Sequence, residues 1–323
     1  MKKRCLLLIM LFLFPLSVFA YSDRIIVGGE TIGIEVHSEG VYIVGFYPIQ
    51  NKFIAKDAGF QKGDIIIRID NDTIHSIEDI NQVLTEEKEY QFTIERNNSI
   101  KQIPLKVEED DYFIKTGLYV KDRINGIGTL SYIDPETKIY GSLGHEIVEK
   151  TSQSRFKLKE GMIYKAEVSS IEKSRNGSTG SKNAFTKRED IMGDVSLNEL
   201  EGIFGKYQNT IHPKELVKVG LKEEIHNGKA TIKTVIEKNN IEDFSINILA
   251  LDESSPNKNI LFEITDERLL KKTGGIIQGM SGSPIIQDNK IIGVVNYVIV
   301  DDTKKGYGIF ITTMLEKGDE LLS

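Results

Sequence analysis

Gly279-Met280-Ser281-Gly282-Ser283-Pro284, followed by Ile285-Ile286 and then by Ile291-Ile292-Gly293-Val294-Val295, is the stretch from which this 323-residue chain is best read. A serine hydroxyl is a poor nucleophile at neutral pH. A reactive serine is therefore presented on a tight turn, beside a base and next to backbone N–H groups that can hold an oxyanion. Ser281 occupies such a turn. Gly279 and Gly282 have no Cβ, so they tolerate strained φ/ψ and let a carbonyl approach the main chain, where the N–H groups of Gly279 and Ser281 are the expected donors. Pro284 closes the turn ahead of an apolar, strand-like run. The same Gly, Ser and Pro residues also build ordinary hairpins, so the turn alone leaves catalysis and a plain turn equally open.

A nucleophile needs a base, and the histidines are His37, His75, His145, His212 and His226. His226 precedes Asn227-Gly228, a hairpin dipeptide that places it at an exposed tip, and His212 precedes Pro213 in a polar stretch. His37 and His75 lie in the N-terminal third. His145 ends the strand-like run Ile139-Tyr140-Gly141-Ser142-Leu143-Gly144, with glycines clearing space around it. A strand-end histidine is more often structural than catalytic, and the Ser281 turn reverses that weighting. His145-Glu146 also opens a zinc-type His-Glu-x-x-His word, but Glu149 stands where the second histidine belongs, so neither metal nor cofactor is expected. For the carboxylate that orients the base, Asp266 follows the alternating run Phe262-Glu263-Ile264, with Asp190, Asp194 and Asp252 as competitors.

Met1-Lys2-Lys3-Arg4 precedes an apolar stretch from Cys5 to Ala20, the arrangement of an export signal. Cleavage after Ala20 is expected, with retention of residues 5–20 as a membrane anchor the alternative. Cys5 is the only cysteine, so an exported body carries no thiol or disulfide. The net charge is −7, and Lys and Arg are interspersed with Asp and Glu throughout, which argues against nucleic acid as a partner.

After an expected linker over residues 21–34, Gly40-Val41-Tyr42-Ile43-Val44 and Ala58-Gly59-Phe60-Gln61-Lys62-Gly63-Asp64-Ile65-Ile66 alternate like strands. Ser76 is placed to cap a helix whose apolar face carries Ile77, Ile80, Val83 and Leu84. This order resembles a bacterial PDZ domain over residues 35–108. PDZ domains bind peptide ends by strand addition, so the resemblance implies a partner's tail along Gly40, Val41, Tyr42, Ile43 and Val44. The acidic run Glu108-Glu109-Asp110-Asp111 reads as a linker into a second domain, residues 109–323. That domain is read as mostly β from runs such as Thr129 to Ile133, Ile163 to Ile171, Ala230 to Ile236 and Ile260 to Ile264. Ser174 to Asn183 lacks apolar residues and reads as an exposed loop; it fails the Walker spacing at Arg175 and Ser181.

The words Thr116-Gly117-Leu118-Tyr119-Val120, Gly126-Ile127-Gly128-Thr129-Leu130, Asp134-Pro135-Glu136-Thr137, Gly144-His145, Gly202-Ile203-Phe204-Gly205 and Gly274 to Ile286 resemble the stage IV sporulation protein B serine peptidases of spore-forming bacteria. With the PDZ segment, the resemblance spans nearly the whole exported chain. It implies a PDZ domain followed by a trypsin-like double β-barrel, with Ser281 as nucleophile, His145 as base and Asp266 as acid. It further implies self-processing and cleavage of a regulatory partner between forespore and mother cell, releasing an intramembrane protease that activates a late mother-cell sigma factor. Two positions depart from the pattern. Relatives place Thr-His where this chain has Asn296-Tyr297, and an aspartate where it has Glu149. The competing class is a non-catalytic peptide-binding or assembly protein that keeps a peptidase-like scaffold.

Overall fold

The structure, a computed structural model, describes residues 21–110, 113–211 and 215–322. The expected leader and His212 lie outside the described residues. Among the described residues no helix is long and apolar enough to cross a membrane. The chain is mostly β, with a PDZ domain followed by a peptidase domain built on a closed β-barrel.

The PDZ core gathers Val41, Ile43, Phe60, Ile66, Ile80, Phe92 and Ile94, with Phe60 set edge-on to Phe92 at a centroid distance of 5.4 Å. The helix Ile77–Val83 starts where Ser76 predicts: Ser76 Oγ accepts the Asp79 N–H, and the Asp79 carboxylate accepts the Ser76 N–H. Asp64, almost fully buried, is held by the Arg96 guanidinium at 2.6 Å.

Residues 21–34 are not a linker. Arg24–Val27 is a strand paired with Leu216–Val219 and with the end of Leu118–Ile133, and Ile25, Ile26 and Ile32 are buried. The next strand, Thr31–Phe46, belongs to both domains. Its first half pairs with Leu158–Glu172 of the peptidase domain, and its second half joins the PDZ sheet through Val41↔Ile66 and Tyr42↔Ile65. The partners of residues 24–37 come from far downstream, so their pairing left no local signal. The acidic stretch read as a linker also takes structure, because Glu108–Asp110 pairs with Phe113–Lys115 in a short ribbon.

The proposed peptide edge is already filled. On the side away from Ile65 and Ile66, Tyr42 pairs with Lys121, Ile43 with Val120, Gly45 with Tyr119 and Phe46 with Leu118. Leu118 is 5% exposed within the PDZ core, and the Asp122 carboxylate accepts the Ile77 N–H at 2.9 Å. The chain's own strand Leu118–Ile133 thus lies where a partner's tail was expected, and Val41 to Val44 offer no open edge.

The same strand continues into the peptidase domain, where two apolar interiors flank the site. One contains Ile34, Leu130, Leu143 and Ile163, and the other Phe244, Phe262, Ile276, Ile277 and Val295. Of Ser174 to Asn183, the tip Arg175 to Ser178 is exposed as expected, but Ser174 and Lys182 are buried, at 3% and 4% exposure. Ser174 Oγ donates to Ile276 O and accepts the Gly180 N–H, so the buried end of this polar stretch has its hydroxyl satisfied.

Candidate active site

The turn at Ser281 is fixed by its carbonyls. Gln278 O accepts the Lys182 N–H at 2.9 Å, Met280 O accepts the Ser283 N–H at 2.9 Å, and Ser281 O accepts the Thr129 N–H at 3.0 Å. Thr129 Oγ1 donates to Gly279 O at 2.8 Å. In a planar trans peptide the C=O and N–H point oppositely, so these bonds aim the N–H groups of Gly279 and Ser281 away from the carbonyls' partners. Neither N–H finds an acceptor among the described residues. Gly279 and Gly282 have φ of 92° and 93°, and a Cβ at Gly282 would lie 2.1 Å from Thr129 O. Both positions require glycine.

His145 follows Leu143 and Gly144, both in the left-handed region, which swing the chain out of the strand Ile139–Ser142. Its Nδ1 lies 2.8 Å from Glu146 O. A carbonyl can only accept, so Nδ1 carries the proton and Nε2 is left with the lone pair. The next residue is pinned by Asn198, whose Oδ1 accepts the Ile147 N–H and whose Nδ2 donates to Ile147 O. Burial pushes the pKa of His145 below the ordinary imidazole value, against an upward pull from Glu146, so the ring is neutral at pH 7.

His145, Ser281, Gly279, Asn296 and Tyr297 line one cavity of about 590 Å³ between the two interiors. The structure therefore brings His145, Ser281 and Gly279, the residues expected to supply base, nucleophile and oxyanion donors, to one cavity. Ser281 Oγ donates to Asn296 O at 3.0 Å rather than to His145.

Asp266 is not brought to this cavity. Its carboxylate caps the helix Glu267–Thr273, accepting the N–H groups of Arg268 and Leu269, and pairs with the Arg268 guanidinium at 3.1 Å. Burial alone would raise its pKa, but Arg268 and the backbone donors hold it below the usual carboxylate value. The competitors are engaged elsewhere or exposed: Asp194 accepts from Lys206 N and Ser196 Oγ, Asp252 from Ser254, and Asp190 faces solvent. The carboxylate that lines this cavity is Glu146. It leaves Oε2 buried without a partner, pulls upward against the burial that lowers the His145 pKa, and adds to the burial that raises that of Tyr297. Its adjacency to His145 was the available signal. Of the other described histidines, His226 pairs with Asp288 at 2.9 Å, His75 bonds Glu39 O and His37 faces Glu35. Among the described residues no three His, Cys, Asp or Glu side chains cluster as metal ligands.

A PDZ domain ahead of a barrel that sets a serine turn and a histidine in one cavity defines a PDZ-bearing peptidase of the serine class. The model of the SpoIVB peptidase S55 family matches residues 112–315, that of the PDZ domain matches residues 31–107, and the chain belongs to the SpoIVB peptidase S55 family. No curated protein matches it. Among solved structures, the inactive form of the Rv3671c protease of M. tuberculosis is 13% identical, with 61% of this chain and 84% of that one covered at a TM-score of 0.32. Human heparin binding protein is 11% identical, covering 61% and 86% at a TM-score of 0.34.

Proposed function

We propose that the chain is an exported serine endopeptidase of sporulation signalling, with Ser281 as nucleophile and His145 as general base. The observation that carries this reading is the shared cavity, in which both residues meet two unpaired N–H groups on the nucleophile's own turn. In the reaction, the Ser281 hydroxyl rotates from Asn296 O to His145 Nε2, which takes its proton as Oγ attacks the scissile carbonyl. The N–H groups of Gly279 and Ser281 hold the oxyanion. The amine leaves with the proton from Nε2, and water repeats the sequence on the acyl-enzyme. Glu146 supports the transient imidazolium twice, through its carbonyl at Nδ1 and through its nearby carboxylate.

The cavity walls include Ile34, Ile127, Leu143, Ile147, Ile276 and Ile277, which suit a substrate with an apolar side chain beside the scissile bond. In this reading the substrate is a regulatory partner in the space between forespore and mother cell. Its cleavage leads through an intramembrane protease to the late mother-cell sigma factor, and the enzyme processes itself. The non-catalytic reading has one observation in its favour, the Ser281 hydroxyl turned to Asn296 O. A fluorophosphonate probe decides between the two. Labelling at Ser281 that disappears in Ser281→Ala and falls at least ~100-fold in rate in His145→Gln is the expected result. An unlabelled parent chain that also leaves itself and peptide substrates intact would overturn the peptidase reading.

A further inference from the structure

Lys182 is a buried amine with no part in the chemistry above. Its Nζ donates to Thr234 Oγ1 at 2.8 Å and to Thr129 Oγ1 at 3.4 Å, and no carboxylate pairs with it among the described residues. Burying an amine without a counter-charge is costly, and desolvation depresses its pKa to about 7. Such groups concentrate at functional sites.

Main chain and side chain of Lys182 both act on the turn before Ser281. The backbone N–H holds Gln278 O, which sets the peptide plane that carries the Gly279 N–H. The aliphatic stem fills the space under Gly279, where an added Cβ would meet Lys182 Cβ, Cγ and Cδ at 3.1 to 3.3 Å. The Nζ reaches Thr129, whose hydroxyl spends its one proton on Gly279 O. That oxygen can then only accept, and Lys182 supplies the proton it accepts, locking the rotor toward Gly279.

We propose that Lys182 is a positioning residue of the oxyanion-binding turn: through its own N–H and through Thr129 Oγ1 it fixes both peptide planes flanking Gly279 and so keeps the Gly279 N–H toward the cavity. The inference rests on the peptidase reading. Lys182 touches no substrate and acts only through Gln278, Gly279 and Thr129.

Three substitutions in the full chain test it. Lys182→Met removes the amine at similar length, Thr129→Val removes the hydroxyl at similar shape, and Thr129→Ser keeps it. With a small activated peptide ester, the first two should lower kcat about 10- to 100-fold with KM within about twofold, and Thr129→Ser should stay within about threefold of the parent. A peptide boronate, which forms a tetrahedral adduct on Ser281, should bind the first two variants more weakly by the same factor. Rates are taken per site titrated by the initial burst, so loss of folded protein does not enter them. If Lys182→Met fails to fold, the Val and Ser variants at Thr129 make the same comparison. Parental kcat in Thr129→Val, or equal losses in Val and Ser, overturns the inference. Fluorophosphonate labelling of the parent at Ser281 separates the two readings. Labelling together with parental kcat in the variants overturns the role of Lys182 alone, and an unlabelled parent overturns both.

Discussion

The ring of Tyr297 stacks on that of His145, with centroids 5.4 Å apart and planes inclined by 28°. His145 is therefore held on its face by an aromatic ring and at Nδ1 by the Glu146 carbonyl. Tyr297 is itself placed by Asn257, whose Nδ2 donates to the phenolic oxygen at 3.2 Å.

Removing the ring should loosen and wet the base. A stacked pair contributes about 0.5–1.5 kcal/mol, so Tyr297→Ala should lower kcat by up to about tenfold, and Tyr297→Phe should not. Desolvation is the main cause that depresses the His145 pKa, and admitting water relieves it. The catalytic form is neutral imidazole, so the acid limb of the pH–kcat/KM profile should move upward in Tyr297→Ala. An unmoved limb would show that Tyr297 does not shield the base.

Asp266 should behave as a helix cap. Its bonds go to Arg268, Leu269 and Ser245, so Asp266→Ala should cost about 1 kcal/mol of stability and lower Tm by a few degrees. Turnover per folded molecule should stay within about threefold of the parent. A loss of several orders of magnitude in kcat would return Asp266 to the triad.

The PDZ groove should be closed to free peptide tails. Leu118 to Lys121 already pair along Tyr42 to Phe46, so binding must first displace a buried leucine. C-terminal peptides should show no calorimetric binding to the full chain below about 1 mM, whereas Leu118→Ala, which weakens the resident strand by about 2–5 kcal/mol, should bind them more tightly. Micromolar binding to the parent would mean that the strand leaves the groove readily.

Lys182 should leave a signature in stability against pH. Its folded pKa of about 7 lies below the ordinary value of 10.5, so between those values the unfolded chain holds the extra proton. The contribution of Lys182 to stability is thus lowest below pH 7 and rises as pH climbs from 7 toward 10.5. No charged group is among the causes of its shift; its neighbours are Thr129 and Thr234, from two different strands. The parent should therefore gain on Lys182→Met across that range in urea titrations. A constant difference between them would mean that the amine stays protonated in the fold.

Much of the site was legible because it is local chemistry. Ser281 with its glycines, His145 at a strand end and the Ser76 cap all depend on neighbours within a few residues. Leu118, Lys182 and Ile25 depend on partners brought from elsewhere in the chain. A leucine in a short apolar word carries no sign that it will fill a groove opposite Phe46. A lysine in a polar run reads as solvated unless its hydroxyl partners, here Thr129 and Thr234, are known to converge on it.

Residue order alone pointed to a PDZ segment ahead of a β-rich peptidase domain and to a serine turn at Ser281 that only glycine can build. Which acidic group serves the base was a matter for three dimensions. An aspartate looks the same in sequence whether it caps a helix, as Asp266 does, or faces an imidazole. Folding spends its carboxylate on Arg268 and the helix N-terminus, and leaves Glu146 beside His145.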